Sequence, residues 1–270
     1  MPSMLTEDVD AFRKENDLSI VDDADISVII VVKDCVGRIR QTIDSALYQA
    51  GVATELVVID AVSTDGTTDI LESYRSKLSI LVSEPDNGIY DAMNKGVRLS
   101  RGQWILFLNC GDTFHNEHSL SALVSDQTCS SSVGIVYGSV FSERRRKLIR
   151  AKPPHRIPYG MVCSHQSMIC KRSLLLDNPF DQHLVAADFG FLVKLYFDRV
   201  PIISRPEVTV TNNMDGGVSD VQQQLIVSEW RQIAFAYQHT YGIYLHYSVL
   251  SLKVRIKQTL RGMVTHRDGK

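Results

Sequence analysis

The chain reads Glu84-Pro85-Asp86-Asn87-Gly88-Ile89-Tyr90-Asp91-Ala92-Met93-Asn94-Lys95-Gly96. A few residues on it continues Gly102-Gln103-Trp104-Ile105-Leu106-Phe107-Leu108-Asn109-Cys110-Gly111-Asp112. A polar turn opens a helix, the helix feeds an apolar strand, and the strand ends on an amide and then a carboxylate. A buried strand that delivers polar side chains at its carboxyl end is how an open α/β sheet builds a ligand crevice. Taken alone, the stretch is also compatible with one more βαβ unit that has a polar turn.

Upstream, the same alternation repeats. Residues 26–32 form an almost continuous β-branched run, which suits a strand buried on both faces of a parallel sheet, and the run ends at Lys33-Asp34. A helix is predicted over 37–49, with Ile39, Ile43, Ala46 and Leu47 on one face. A second strand over 55–59 ends on Asp60, and Ser63-Thr64-Asp65-Gly66-Thr67 starts a helix with residues that favour N-caps. A third strand over 78–82 ends at Ser83-Glu84. This alternation predicts an α/β fold with a Rossmann-like, mostly parallel central sheet and helices on both faces. Parallel strands put their carboxyl ends on one edge, so Asp34, Asp60, Glu84 and Asn109 should gather along one rim. Polar residues that merely terminate strands would give the same pattern.

The totals narrow the class. The 270 residues are 44% hydrophobic and 22% charged, enough for one large α/β domain or two small ones with a buried core. A net charge of -2 argues against a general nucleic-acid binder. The five cysteines include no Cys-x-x-Cys, so neither a disulfide framework nor a zinc site is indicated, and reduced intracellular thiols are the simpler expectation. Residues 1–24 read as an acidic, solvated leader with one short helix over 9–14; their charge is opposite to that of a signal peptide. The expected location is therefore cytoplasmic.

The second half is less regular. A strand is predicted over 134–141 and a basic run over 143–152, read either as a solvated hairpin or as an anionic-ligand patch. His165-Gln166 lies in a strand-like run over 162–170, and Asp188 precedes a helix over 189–197. A last strand covers 208–211, Gly216-Gly217 marks a flexible turn, and a helix covers 221–239. The tail, 241–270, mixes apolar and basic residues. It reads either as an amphipathic helix on the inner, anionic face of the cytoplasmic membrane or as a helix docked on the domain.

Several of these segments together resemble the family-2 inverting glycosyltransferases of the GT-A fold, of the bacterial exopolysaccharide and O-antigen type. The opening strand through Asp34, the run from Glu55 to Thr67, the 83–96 segment and the 102–112 segment match in order. His165-Gln166 and Ala186-Ala187-Asp188-Phe189 look like acceptor-side motifs. The resemblance implies one GT-A domain over 25–240, with a nucleotide-sugar half at 25–112 and an acceptor half at 113–240. It departs from the family where Ala61-Val62 replaces a common Asp-Gly pair, and where Asn109-Cys110-Gly111-Asp112 keeps one carboxylate of an Asp-x-Asp cluster.

The implied chemistry is transfer of a sugar from a UDP- or GDP-sugar to a saccharide or polyprenyl-linked acceptor. The leaving diphosphate carries charge that Mg²⁺ or Mn²⁺ stabilises as a Lewis acid, with Asp112 as the metal residue. Asp34, Asp60, Asp86, Asn94 and Asn109 are implied on the donor side; Asp86-Asn87-Gly88 equally suits a turn with helix capping. Asp188 matches the catalytic base, with a helix N-cap as the alternative, and His165 and Gln166 line the acceptor pocket. No activated serine or cysteine is evident, so inversion by direct attack is expected. The reduced acidic cluster leaves open a second reading, a catalytically degenerate sugar-nucleotide-binding or scaffold protein. A nucleotidyltransferase is a third, although no glycine-rich phosphate cradle follows the first strand.

Overall fold

Strand β1 (Ile26–Val32) is buried at every position, as its β-branched run requires. It lies between two parallel neighbours, β2 (Thr54–Asp60) and β4 (Trp104–Asn109). Strand β3 (Ile80–Ser83) extends the parallel set beyond β2. This computed structural model describes residues 25–124, 132–214 and 222–265. The acidic leader with its short helix, Cys129, the Gly216-Gly217 turn and residues 266–270 lie outside the described residues.

Beyond β4 the sheet becomes mixed. Its order is β3-β2-β1-β4-β8-β6-β9-β5, where β5 is Thr113–Phe114, β6 Ile135–Ser142, β8 Met168–Lys171 and β9 Ile202–Asn213. β8 runs antiparallel to both β4 and β6, whereas β9 is parallel to β6 with register shifts around Ser139. β9 starts well before the expected 208. The basic run folds back as a hairpin in which β7 (Lys147–Ile149) pairs with β6 and is exposed at each position.

Alternation along β1 sorts the two cores. Ile29 and Val31 face one cluster, with Met93 and Val97 of α3 (Ile89–Leu99) and Phe189 and Leu192 of α6 (Ala187–Phe197). Ile26, Val28, Ile30 and Val32 face the other. That side holds Ile39 and Ile43 of α1 (Ile39–Leu47), Leu71 of α2 (Thr67–Ser73) and Leu120 of α4 (Ser119–Leu123). At the amino ends of the strands, buried Glu55 accepts from the Ser27 hydroxyl (2.6 Å) and the Arg101 N–H (2.7 Å). The Gly102 N–H donates to Ser27 Oγ at 2.8 Å, and a Cβ on Gly102 would come within 2.5 Å of the Ser27 nitrogen. Only glycine lets the backbones approach this closely.

After α5 (Arg172–Asp177) and α6, two long helices close the chain, α7 (Gln223–Tyr237) and α8 (Tyr241–Thr265). The tail is a docked helix: Ile243 and Tyr247 are fully buried, and the Tyr247 hydroxyl donates to the Pro158 carbonyl at 3.1 Å. It therefore packs on the domain rather than trailing from residue 240. Its other face leaves Tyr241, Leu245, Val249, Leu252 and Ile256 exposed. Among the described residues no helix is long and apolar enough to cross a membrane.

The expectation of reduced thiols needs correction. Cys35 and Cys110 form a disulfide across a separation of 75 residues. No spacing rule signals it. The pairing arises because β1 and β4 are adjacent and parallel, so the residues that leave their carboxyl ends meet. Cys163 and Cys170 are free.

Candidate active site

The carboxyl ends of β1, β2 and β4 do form one rim, with Val32 beside Asp60 and Val31 beside Asn109. Two loops are stitched together above it. Asp34, held at φ 48°, accepts from the Thr64 N–H at 2.8 Å, and its own N–H donates to Ser63 Oγ at 2.8 Å. Just before α2, Asp65 accepts from the Thr67 hydroxyl (2.6 Å) and the Val36 N–H (2.9 Å), and these bonds hold its carboxyl below the usual range.

Asp60 is fully buried. Its carboxylate accepts from the hydroxyls of Ser63 (2.5 Å) and Ser83 (2.6 Å), neither of which sequence reasoning singled out. A buried charge needs such donors, and the result turns Asp60 into the anchor of the β2–α2 loop. Asp86 accepts from the Gly88 N–H at 2.9 Å, the turn alternative of its motif. Asn94 departs furthest from expectation. It is buried in α3, its Nδ2 donates to the Phe180 carbonyl (2.8 Å), and its Oδ1 accepts the Phe180 N–H (2.9 Å). Its amide closes on backbone because the 178–182 segment folds over α3, a long-range contact that motif position does not reveal.

The other expected residues converge. Asp112 is buried; its Oδ2 accepts from Gln166 Nε2 at 2.9 Å and its Oδ1 from the Met214 N–H at 2.8 Å. Next along the chain, His165 Nδ1 lies 3.1 Å from Asp188 Oδ2. Asp188 Oδ1 accepts from the Tyr90 hydroxyl (3.1 Å) and the Phe189 N–H (2.8 Å). On its far side, His165 Nε2 lies 3.1 Å from Asn109 Nδ2. The short helical turn of His165–Ser167 thus spans the gap between the two carboxylates, giving one residue to each.

Burial pushes the Asp188 carboxyl up, but the hydrogen bond and charge of His165, with the Phe189 N–H and Tyr90 hydroxyl, outweigh it and hold it below the usual range. Burial and the Asp188 charge push the Tyr90 hydroxyl and the Cys163 thiol up, so both stay protonated. Glu229 of α7 is another residue missed from sequence. Its buried carboxylate accepts the Val185 (3.0 Å) and Ala186 (2.8 Å) N–H groups, fixing the segment that leads into Asp188.

Among the described residues no group of three His, Cys, Asp or Glu side chains gathers to hold a metal. Mg²⁺ asks for only one or two carboxylates when phosphates and waters complete its shell. Asp112 meets that minimum, in competition with the Gln166 and Met214 donors.

The sequence profile of Glycosyl transferase family 2 matches residues 27–181, more than half of the chain. The chain belongs to this family. It is a family-2 glycosyltransferase, 28% identical over 201 residues to the "PGL/p-HBAD biosynthesis glycosyltransferase" of Mycobacterium bovis, covering 72% of this chain and 78% of the relative. It is 25% identical over 156 residues to Escherichia coli WfaP, a UDP-Glc:alpha-D-GlcNAc-diphosphoundecaprenol beta-1,3-glucosyltransferase, covering 56% of this chain and 60% of the relative. Among solved structures, S. aureus TarS in complex with UDP superposes with a TM-score of 0.60 at 23% identity, over 82% of this chain and 74% of that one. The mannosyltransferase PcManGT from Pyrobaculum calidifontis, solved with GDP-Man and Mn²⁺, gives 0.61 at 18% identity, over 80% and 64%. The glycosyltransferase shares the GT-A fold of these structures, and its Asp112, Gln166, His165 and Asp188 cluster lies at the carboxyl-end rim of its sheet.

Proposed function

We propose that this glycosyltransferase moves a sugar, with inversion, from a UDP- or GDP-sugar to a saccharide or polyprenyl-linked saccharide during assembly of a cell-surface polysaccharide. The observation that carries the reading is the continuous polar arrangement from Asp112 through Gln166 and His165 to Asp188. It sets a donor-side carboxylate and an acceptor-side acid–imidazole pair on one short turn. The names of the relatives and the nucleotides bound by the structural neighbours agree with this substrate class.

In this reading the acceptor hydroxyl attacks the anomeric carbon from the face opposite the diphosphate. The Asp188–His165 pair takes the hydroxyl proton, a contribution of about 10²–10⁴-fold. Asp34, Asp86 and Asn109 border the donor, and Asp60 acts through the loop it anchors. When bound, Mg²⁺ or Mn²⁺ would be held by Asp112 and would neutralise charge on the diphosphate. With a single protein ligand, the cation should bind measurably only together with the nucleotide. We further propose that the exposed apolar stripe of α8, beside Lys253 and Arg255, lies against an anionic membrane surface.

The test is a panel of UDP-glucose, UDP-N-acetylglucosamine and GDP-mannose with lipid-linked saccharide acceptors, products being read by mass spectrometry. Asp188→Asn should lose most of the transfer while keeping UDP affinity. UDP binding without product from any pair refutes the reading.

A further inference from the structure

The basic hairpin has a definite place beside the site. β8 runs antiparallel to both β4 and β6, so β6 is parallel to β4, and its carboxyl end, Ser142, opens on the same rim as Asn109. One edge of β6 is taken by β9 from Ile135 to Ser142. The other edge is shared: β8 pairs with Ile135–Tyr137 and β7 with Val140–Ser142. The His165–Ser167 turn enters β8 at the gap between them, where Ser167 Oγ donates to the Gly138 carbonyl at 3.0 Å. β7 therefore lies next to the turn that serves Asp112 and Asp188. Hydrogen bonds continue the connection. The Glu143 N–H donates to the Asn213 carbonyl at 3.0 Å, Asn213 Nδ2 donates to Gln166 Oε1 at 3.3 Å, and Gln166 reaches Asp112.

Charge supplies the independent observation. Residues 144–152 hold Arg144, Arg145, Arg146, Lys147, Arg150 and Lys152 and no Asp or Glu, in a chain whose net charge is -2. Elsewhere exposed cations have carboxylate partners, as Arg75 has Glu72 and Lys194 has Asp198. Among the described residues, the exposed Arg146, Lys147 and Arg150 have none. Like charges crowded on one hairpin repel, and a bound polyanion relieves the repulsion. Arg146 sits at φ 46°, a left-handed turn position that glycine or asparagine fills with less strain, so the guanidinium at the tip comes with a backbone cost. Lysine and arginine on an edge strand also discourage edge pairing. That role alone does not account for Leu148 and Ile149, which stand 39% and 37% exposed between the cations and invite pairing. From Lys152 the chain leads into Pro154–Tyr159, the segment on which α8 docks through His246 and the Tyr247 hydroxyl.

We propose that the β6–β7 hairpin is the subsite for the diphosphate of a lipid-linked acceptor, with Arg146, Lys147 and Arg150 supplying the positive charge and Leu148 and Ile149 flanking the first carbons of the lipid. This rests on the glycosyl-transfer reading and deepens it, naming the charged class of acceptor and the place that holds it. An arginine fork matches phosphate oxygens in pairs, and a lysine ammonium adds a point charge. The diphosphate is bonded to the acceptor sugar. Holding it beside the 165–167 turn therefore brings the sugar hydroxyl to the His165 and Asp188 pair.

Two probes test this on the full chain by calorimetry: N-acetylglucosamine joined to farnesol through a diphosphate, and the same sugar joined to farnesol as a neutral glycoside. Saturating UDP keeps the probe diphosphate out of the donor site. The diphosphate probe should bind wild type about tenfold or more tightly than the glycoside, an advantage that shrinks as salt rises. Equal affinities overturn the proposal without any variant. In the triple variant Arg146→Gln, Lys147→Gln, Arg150→Gln the advantage should fall to about twofold or less, while affinities for the glycoside and for UDP hold. An advantage retained in that variant overturns the proposal. So does a parallel loss of UDP affinity, which would assign the cations to the donor. If the triple variant aggregates, Arg150→Gln alone should cost the diphosphate probe about threefold or more, and full affinity there counts as refutation. Phosphatidylglycerol vesicles without probe give the last arm. A variant that loses vesicle binding but keeps the probe advantage would assign the hairpin to the membrane surface instead. Absence of sugar transfer from every donor would count against the transfer reading, while the paired probes judge the hairpin separately.

Discussion

Replacing Asn94 with alanine separates a donor contact from a structural tie. Asn94 accepts the Phe180 N–H at 2.9 Å and donates to the Phe180 carbonyl at 2.8 Å, and it is only 5% exposed. Alanine would leave both backbone groups without partners in a place water does not reach. Each such group costs about 1–3 kcal/mol, so the loss should be about 3 kcal/mol or more. The Phe180 ring adds to the stake, because it packs against Tyr90 (5.3 Å), Phe107 (5.6 Å) and Phe191 (5.4 Å). With a urea m-value of about 3 kcal/mol/M, the unfolding midpoint should fall by about 1 M. Asn94→Asp should do no better, since it keeps the acceptor but sets a carboxylate against the Phe180 carbonyl. Affinity for UDP, read by calorimetry on the folded variant, should be unchanged. A stability loss under about 1 kcal/mol combined with weakened UDP binding would refute the reasoning and return Asn94 to the donor site.

Other consequences are as direct. Cys35→Ser removes a cross-link that closes 75 residues and should cost about 4 kcal/mol in urea unfolding by the chain-entropy estimate; equal midpoints in oxidising and reducing buffer would count against it. Gly102→Ala places a methyl 2.5 Å from the Ser27 backbone nitrogen, so strands must shift, at about 2 kcal/mol or more by thermal unfolding. Because the folded-state pKa of Asp188 lies below its ordinary value, its contribution to stability is complete above the usual carboxylate range and is lost as pH falls through the folded value. The stability difference between wild type and Asp188→Asn should therefore shrink as pH falls below the usual carboxylate range, and a constant difference would contradict it. Leu245→Asp and Leu252→Asp, both on the exposed face of α8, should abolish co-sedimentation with anionic vesicles, which salt should also weaken; unchanged binding would remove the membrane proposal.

What the chain order alone determined is the part of the fold written in local periodicity. The β-branched run at Ile26–Val32, the strand ending on Asp60 and the apolar strand ending on Asn109 each bury both faces, and parallel neighbours then must share one rim. That is why Asp34, Asp60, Glu84 and Asn109 gather at one rim, and why the ordered motifs point to the family. Tertiary structure decided which way each side chain turned. Asp60 points into Ser63 and Ser83, Asn94 binds backbone 86 residues away, and Cys35 meets Cys110. The pairing of Tyr90 with Asp188 crosses 98 residues, and Glu229 reaches back from α7 to hold the segment before α6. Such contacts satisfy buried polar groups across distant segments, and their partners are chosen by strand adjacency and helix docking. A local pattern carries the period of a strand or helix but not the identity of the neighbour it will be packed against.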